Sequence, residues 1–316
     1  MCSLAFQFQP AILSLMKLLL LFLALAPLLS PPGAVAWSSA GHMVIAAEAY
    51  RELSPKVKAK VKTVLQAHPE YEKWQGSFSS ESPTLDLGAY VFMRASTWPD
   101  EIRRKQSESQ YDHPHWHYIN YPLKPPRFPF EPGSSPTNDI LYGISQSEKG
   151  LSARHEPAEL RAVYLSWLIH LIGDLHQPLH CSTLVDQTFP EGDKGGNDFY
   201  VKPAEKGIRL HSFWDGLLGT RIAPQAEVNE AIRLVAEHPR QSLRELRRST
   251  PKKWSLDSRS LAIEKAYLRG ELKGSTSPEN APGLPEGYTK AAKVVAEKQA
   301  ALAGYRLADE VRKYLR

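Results

Sequence analysis

Between Val163 and Ile172 the chain is almost uninterruptedly apolar. A stretch hydrophobic on all sides reads as a helix buried within the core, and Pro157 marks its start. Around it lie shorter amphipathic patterns. Met43 to Leu53 carries apolar residues at helical spacing behind a capping serine, Ser38 or Ser39. Ser54-Pro55 restarts a helix, cap then first-turn proline, whose inward face is Val57, Val61, Val64 and Leu65 as far as about His68. Residues 69–84 read as a loop, and Leu85 to Ala95 as a short helix running into Ser96-Thr97-Trp98-Pro99-Asp100-Glu101-Ile102-Arg103. Alternating aromatics from Tyr111 to Asn120 predict a short strand or extended segment. Six prolines between Pro122 and Pro136 mark a surface loop. Asn138 to Leu151 predicts another helix. Gly195-Gly196-Asn197 turns the chain into a small hairpin, Phe199-Tyr200-Val201 against Gly207-Ile208-Arg209-Leu210. Helices follow over Gln225–Glu237, Gln241–Arg248, Ser258–Arg269 and Thr289–Leu315, with a Gly/Pro-rich loop over Gly274–Gly287. The pattern predicts one mainly α domain with a small β-hairpin.

Polar groups interrupt this pattern where they cost most. The buried run ends in His170-Leu171-Ile172-Gly173-Asp174-Leu175-His176-Gln177-Pro178-Leu179-His180. Residues four apart share a helical face, so His170 and Asp174 point the same way and could grip one metal ion or two neighbouring ones. Pro178 cannot donate to the carbonyl four residues back, so the helix bends or stops and swings His180 toward a different point. For one lone His-x-x-x-Asp pair, a core helix with histidines bonded to backbone carbonyls is the better reading. A second pair at the same spacing, His211 and Asp215, shifts the balance toward a metal cluster. Imidazole with carboxylate suits zinc, which takes nitrogen and oxygen ligands and keeps a position open when catalytic. Of His113, His115 and His117, one is expected to be a ligand; His42 and Asp100 read alone as cap or surface residues.

Composition bounds the partners. With 316 residues, 42% hydrophobic and 23% charged, the chain is ordinary for a globular protein. Its first 36 residues differ: Leu18 to Leu29 is almost purely apolar and Lys17 is the sole charge before Trp37. Such a run is short for a membrane span and suits a signal-peptide core, with Ala34-Val35-Ala36 as cleavage site. Residues 1–36 are therefore expected to be a signal peptide, translation starting at Met1 or Met16, and 37–316 the functional domain. Cleavage would make Trp37 the new amino terminus and leave Cys181 as the one cysteine, excluding an internal disulfide. It would remove Lys17 and lower the formal charge from +5 to +4. A mildly basic chain favours anionic partners. The basic segment from Arg240 to Lys253 reads first as a solvated face. An exported protein, periplasmic or extracellular and free of the membrane once processed, is the expectation; an uncleaved membrane anchor is the alternative. No repeat, phosphate-binding loop, nucleophile elbow or nucleic-acid-binding module is evident.

Taken together, Trp37 through His42, Trp98 through Arg103, His117-Tyr118-Ile119, His170 through His180, Gly195-Gly196-Asn197 and His211 through Asp215 resemble, in order and across nearly the whole of 37–316, the trinuclear-zinc single-strand nucleases of the phospholipase C/nuclease superfamily. Ala303-Gly304-Tyr305-Arg306-Leu307-Ala308 is similar too. The resemblance implies an all-α phospholipase C/nuclease-type domain binding three zinc ions. It implies that Asp100, His117, His170 and Asp174 hold one ion, that Trp37 through its amino group and carbonyl, His42 and again Asp174 hold a second, and that His180, His211 and Asp215 hold the third. Histidines 68, 113, 115, 155, 176 and 238 are left without such roles. Asp100 and Asp174 then belong to the catalytic set, with Arg103 stabilising phosphate oxygens in the transition state. Tyr118 stacks a base, and Asn120 and Asn197 join it in binding substrate, Asn120 standing where fungal members have an aspartate. The implied activity is endonucleolytic hydrolysis of single-stranded DNA and RNA to 5′-phosphorylated products, with 3′-nucleotidase activity. Zinc-dependent phospholipase C, which has glutamate in place of Asp215, is the nearest alternative, and a non-catalytic exported zinc-binding protein the second.

Overall fold

In the computed structural model, residues 37–82, 84–104, 109–124 and 136–316 are described. The expected leader, 1–36, and most of the proline-rich loop lie outside them. Ten α-helices dominate the described residues, with two two-stranded pairings. The fold is mainly α.

The buried helix is the axis. It spans Ala158–Leu175 (α6), and every residue from Leu165 to Leu175 is buried. That burial explains why its sequence lacks a polar stripe: neighbours cover it on all sides. They are α2 (Pro55–Leu65), α4 (Leu87–Arg104), α5 (Ile140–Ser152) and α10 (Tyr288–Leu315), while α1 (Ser39–Glu52) crosses its end and packs on α4, α10 and α8 (Pro224–Glu237). Caps follow the expected chemistry. Ser38 accepts from the Gly41 amide, Ser54 from Val57, and Asp139 from Leu141 and Tyr142.

Several elements differ from expectation. Where the sequence predicts a loop over 69–84, Tyr71–Glu81 is a helix, α3. Its polar serines hide three aromatics, of which Trp74 is buried and stacks on His68 with centroids 4.4 Å apart. Leu87–Arg104 is one helix, not a short helix and a cap: it continues through Pro99, so Asp100 sits inside it. The Tyr111–Asn120 strand does not form. Trp116 donates to the His113 carbonyl and their rings stack at 3.9 Å, so the aromatics close a turn instead. Pairing begins further on, where β1 (Pro122–Leu123) lies parallel to β2 (Thr183–Leu184). Gln241–Arg248 forms two 3-10 turns, Arg240–Ser242 and Arg244–Arg247. Its apolar residues Leu243 and Leu246 are three apart, which suits a three-residue turn. The helix expected over Ser258–Arg269 instead starts at Pro251 behind Thr250, runs to Leu261 (α9), and loosens into a π turn over Ala262–Ala266.

The hairpin is as expected. β3 (Tyr200–Val201) pairs antiparallel with β4 (Ile208–Arg209), which leads directly into the short helix Leu210–Asp215 (α7). None of the described helices is long and apolar enough to cross a membrane.

Candidate metal centre

Three helices and one extended segment bring buried histidines and carboxylates to one place. The face shared by His170 and Asp174 on α6 meets His42 from α1, Asp100 from α4, and His117 from the segment ahead of β1. Asp174 is fully buried, and its two oxygens face opposite ways. Oδ1 lies 3.1 Å from His42 Nε2; Oδ2 lies 3.1 Å from both His117 Nδ1 and His170 Nε2. Asp100 Oδ1 stands 3.7 Å from His170 Nε2 and 3.8 Å from His117 Nδ1.

A second grouping lies past the end of α6. The helix stops at Leu175, and Pro178–Cys181 forms a 3-10 turn that aims His180 at α7. There His180 Nε2 stands 3.0 Å from His211 Nε2, which is 3.6 Å from Asp215 Oδ2. The groups are wired together through the backbone. Ile119 N donates to the His180 carbonyl at 2.8 Å, and His180 Nδ1 donates to the His117 carbonyl at 2.6 Å.

Other bonds fix the rings. His170 Nδ1 donates to Ser96 O at 2.8 Å and His211 Nδ1 to Gly195 O at 2.7 Å. Pro99 cannot donate to the helical ladder, and its ring crowds the turn preceding it, where the Ser96 carbonyl accepts His170. These bonds leave Nε2 of His170, His180 and His211 bearing a lone pair toward the interior. Two such lone pairs at 3.0 Å repel unless a cation lies between them.

The residues fit metal ions on further counts. Three groups of buried donors converge: His42 with His170 and Asp174, Asp100 with His117 and His170, and His180 with His211 and Asp215, each with ligand atoms within 4.8 Å of one another. Tetrahedral zinc with bonds of about 2.0–2.1 Å would set ligand atoms roughly 3.3 Å apart. Both carboxylate oxygens of Asp100, Oδ1 of Asp174 and the cluster-facing Nε2 of His42 are buried without a hydrogen-bond partner. Orphaned polar atoms on this scale are costly unless a cation engages them. Burial above all pushes Asp100 and Asp174 up to about 6 and lowers His42 and His211 to about 4. Burial likewise raises Asp215 well above the carboxylate range and lowers His117 and His180. Neutral imidazole is the form that binds metal.

The remaining expected residues fall around this cluster. Trp37 is fully buried and donates its indole N–H to Gly173 O at 3.0 Å, while Ser38 N donates to Asp215 O at 3.0 Å. Arg103 is half-buried, and its charge bears on Asp100, Asp174, His117, His211 and Tyr118. Tyr118 is half-buried, its hydroxyl 2.9 Å from Nδ1 of exposed His115. Asn197 donates to Lys194 O at 2.8 Å, leaving its buried Oδ1 without a partner. Asn120 is half-buried beside Ile119. Of the three clustered histidines only His117 turns inward.

A family model described as S1/P1 Nuclease matches residues 37–316. The chain belongs to the S1/P1 nuclease family. Endonuclease 4 of Arabidopsis thaliana is 24% identical over 308 residues, covering 87% of this chain and 88% of that protein. Endonuclease 5 of the same plant is 26% identical over 196 residues, 59% of this chain and 57% of its own, and Endonuclease 3 is 25% identical over 201 residues, 59% and 55%. In this S1/P1 family chain two residues at the cluster escaped the sequence reading. Gln177 Nε2 donates to Asp215 Oδ1 at 2.8 Å, and Arg104 reaches Asp100 Oδ2 at 3.6 Å and the Ser39 hydroxyl at 3.2 Å. Gln177 had a signal: an amide beside a stretch otherwise destined for burial needs a partner.

Proposed function

We propose that the chain is a zinc-dependent endonuclease that hydrolyses single-stranded DNA and RNA to 5′-phosphorylated products and also removes 3′-phosphates from nucleotides. The observation that carries this reading is Asp174, one buried carboxylate whose two oxygens serve two groups of imidazoles, in a chain of the S1/P1 nuclease family.

Asp100, His117, His170 and Asp174 would hold one zinc, His42, Asp174 and the amino group and carbonyl of Trp37 a second, and His180, His211 and Asp215 the third. Zinc bound there lowers the pKa of water and offsets phosphate charge. The residues of the chain do the rest. Arg103 faces the cluster and donates to non-bridging phosphate oxygens, which a guanidinium engages two at a time. Gln177 holds Asp215 in orientation. Water oxygen attacks phosphorus in line, the bond to the 3′ oxygen breaks, and that oxygen takes the proton, so the phosphate stays on the 5′ side. Tyr118 offers a face to an unpaired base, and bases within a duplex present no such face. Asn120 and Asn197 complete the base and phosphate contacts. The role of Trp37 requires removal of residues 1–36, so the active protein is exported, periplasmic or extracellular.

The test incubates purified protein beginning at Trp37 with single-stranded DNA, RNA, duplex DNA, a 3′-nucleotide and phosphatidylcholine. Expected are 5′-phosphorylated products from the single strands, release of phosphate from the 3′-nucleotide, little attack on the duplex, and loss of activity after chelation, restored by zinc. Turnover of the lipid alone, or three bound zinc ions with no phosphoester cleaved, would overturn the proposal.

A further inference from the structure

Two residues without a place in the proposed chemistry meet in the core. His176 lies between Asp174 and His180, and Arg306 belongs to α10, 130 residues further along. Arg306 Nη1 donates to His176 Nε2 at 2.7 Å. The ring is fixed from its other side, where Nδ1 donates to the Ile172 carbonyl at 2.7 Å.

Arg306 is only 3% exposed and forms no ion pair among the described residues. Its remaining contacts are a bond from Nη2 to the Glu245 carbonyl, 2.7 Å, and stacking of the guanidinium over Trp254 at 5.0 Å. Asp257 and Glu245 act on its charge only from beyond ion-pair distance, so the cost of its burial is offset in part. A position that tolerates that cost is doing something an apolar residue would not.

The His176 ring sits at the bend between the two ligand groups. A helix end leaves carbonyls unpaired, and here they are tied from outside. Leu175 O accepts from Ser258 Oγ at 2.6 Å, and His176 O accepts from Gln299 Nε2 at 3.1 Å. Asp174, before the bend, is gripped by His42, His117 and His170. His180, after it, depends on where the 3-10 turn begins.

We propose that Arg306, acting through His176, is a positioning residue that sets the offset of His180 from Asp174 and so completes the His180–His211–Asp215 metal group. This rests on the reading of that group as a zinc site. Removing the guanidinium leaves the ring held only through Nδ1, the turn relaxes, and the third ion is lost first because its ligands lie beyond the bend.

The experiment measures zinc per chain by elemental analysis, and zinc affinity by chelator competition, in wild type, Arg306→Met, Arg306→Lys and Arg240→Met. Arg240 also anchors α10, pairing with Asp309 and packing over Tyr305, away from the bend. Wild type should hold three ions. Arg306→Met should hold two, with the third weakened by about 10- to 100-fold; Arg306→Lys should fall between, and Arg240→Met should keep three. Three ions at wild-type affinity in Arg306→Met overturn the proposal, as does equal loss in Arg240→Met. If Arg306→Met does not fold, Arg306→Lys decides: wild-type affinity for the third ion overturns it. A wild-type chain holding no third ion overturns the zinc reading itself, and this inference with it.

Discussion

At the scale of single residues, the centre depends on how closely groups approach. Gly173 shows it: a Cβ there would lie 2.8 Å from His42 Nδ1, and that ring already stacks on His170 with centroids 4.1 Å apart. Gly173→Ala should therefore push His42 off Asp174. Overpacking of this kind costs about 1–3 kcal/mol, so the variant should unfold at lower denaturant, bind one zinc fewer by elemental analysis, and lose at least tenfold in hydrolysis. Wild-type zinc content would show that His42 is not held there. The His170–Asp174 and His211–Asp215 pairs were legible because helical periodicity fixes their faces. His42 and Asp100 were not legible alone, since a serine-capped helix start and a Pro-Asp pair occur at many surfaces. Only long-range packing brings α1 and α4 onto α6. His115 and His117 looked equivalent because alternation says nothing once the segment turns on a His113–Trp116 stack.

At the scale of elements, the chain shows which signals survive packing. Asp139 accepts from Leu141 and Tyr142 at 2.9 and 3.2 Å, beside the α5–α6 contact. Asp139→Ala should lower stability by about 1 kcal/mol, read as a shifted urea midpoint, with zinc content unchanged. Loss of zinc would mean that α5 does more than support α6. The buried helix, the hairpin and the last helix were readable because hydrophobic period and turn residues agreed. α3 is not legible in the pattern, because Gly76 and three serines dilute its aromatics. The start of α9 lies in a basic segment, where Lys252 and Lys253 dilute the apolar period and only Thr250-Pro251 signals a helix start. Arg104 is 41% exposed at the end of α4, and nothing in local pattern distinguishes it from any terminal arginine.

For the whole molecule, acidity and metal content are linked. Burial holds Asp100 and Asp174 at about 6 in the metal-free chain, so their stabilising contribution is full below the ordinary carboxylate range and is lost as pH rises to about 6. His42 and His211, lowered to about 4, act oppositely: their contribution is full above the ordinary imidazole value and is lost as pH falls to about 4. A bound cation removes the carboxylate penalty, but protons compete with it below about 6. The melting temperature with zinc should therefore exceed that of chelated protein most at pH 7 and above, and the gap should close between about 6 and about 4. A gap independent of pH would contradict this assignment. The brace at Arg306 has a further consequence for how the molecule comes into being. The donors of the cluster all lie between His42 and Asp215 and the brace lies on the last helix, so a growing chain can gather the first two ions before the third has its support. Occupancy of the third position alone then becomes a report that the last helix has been made and docked.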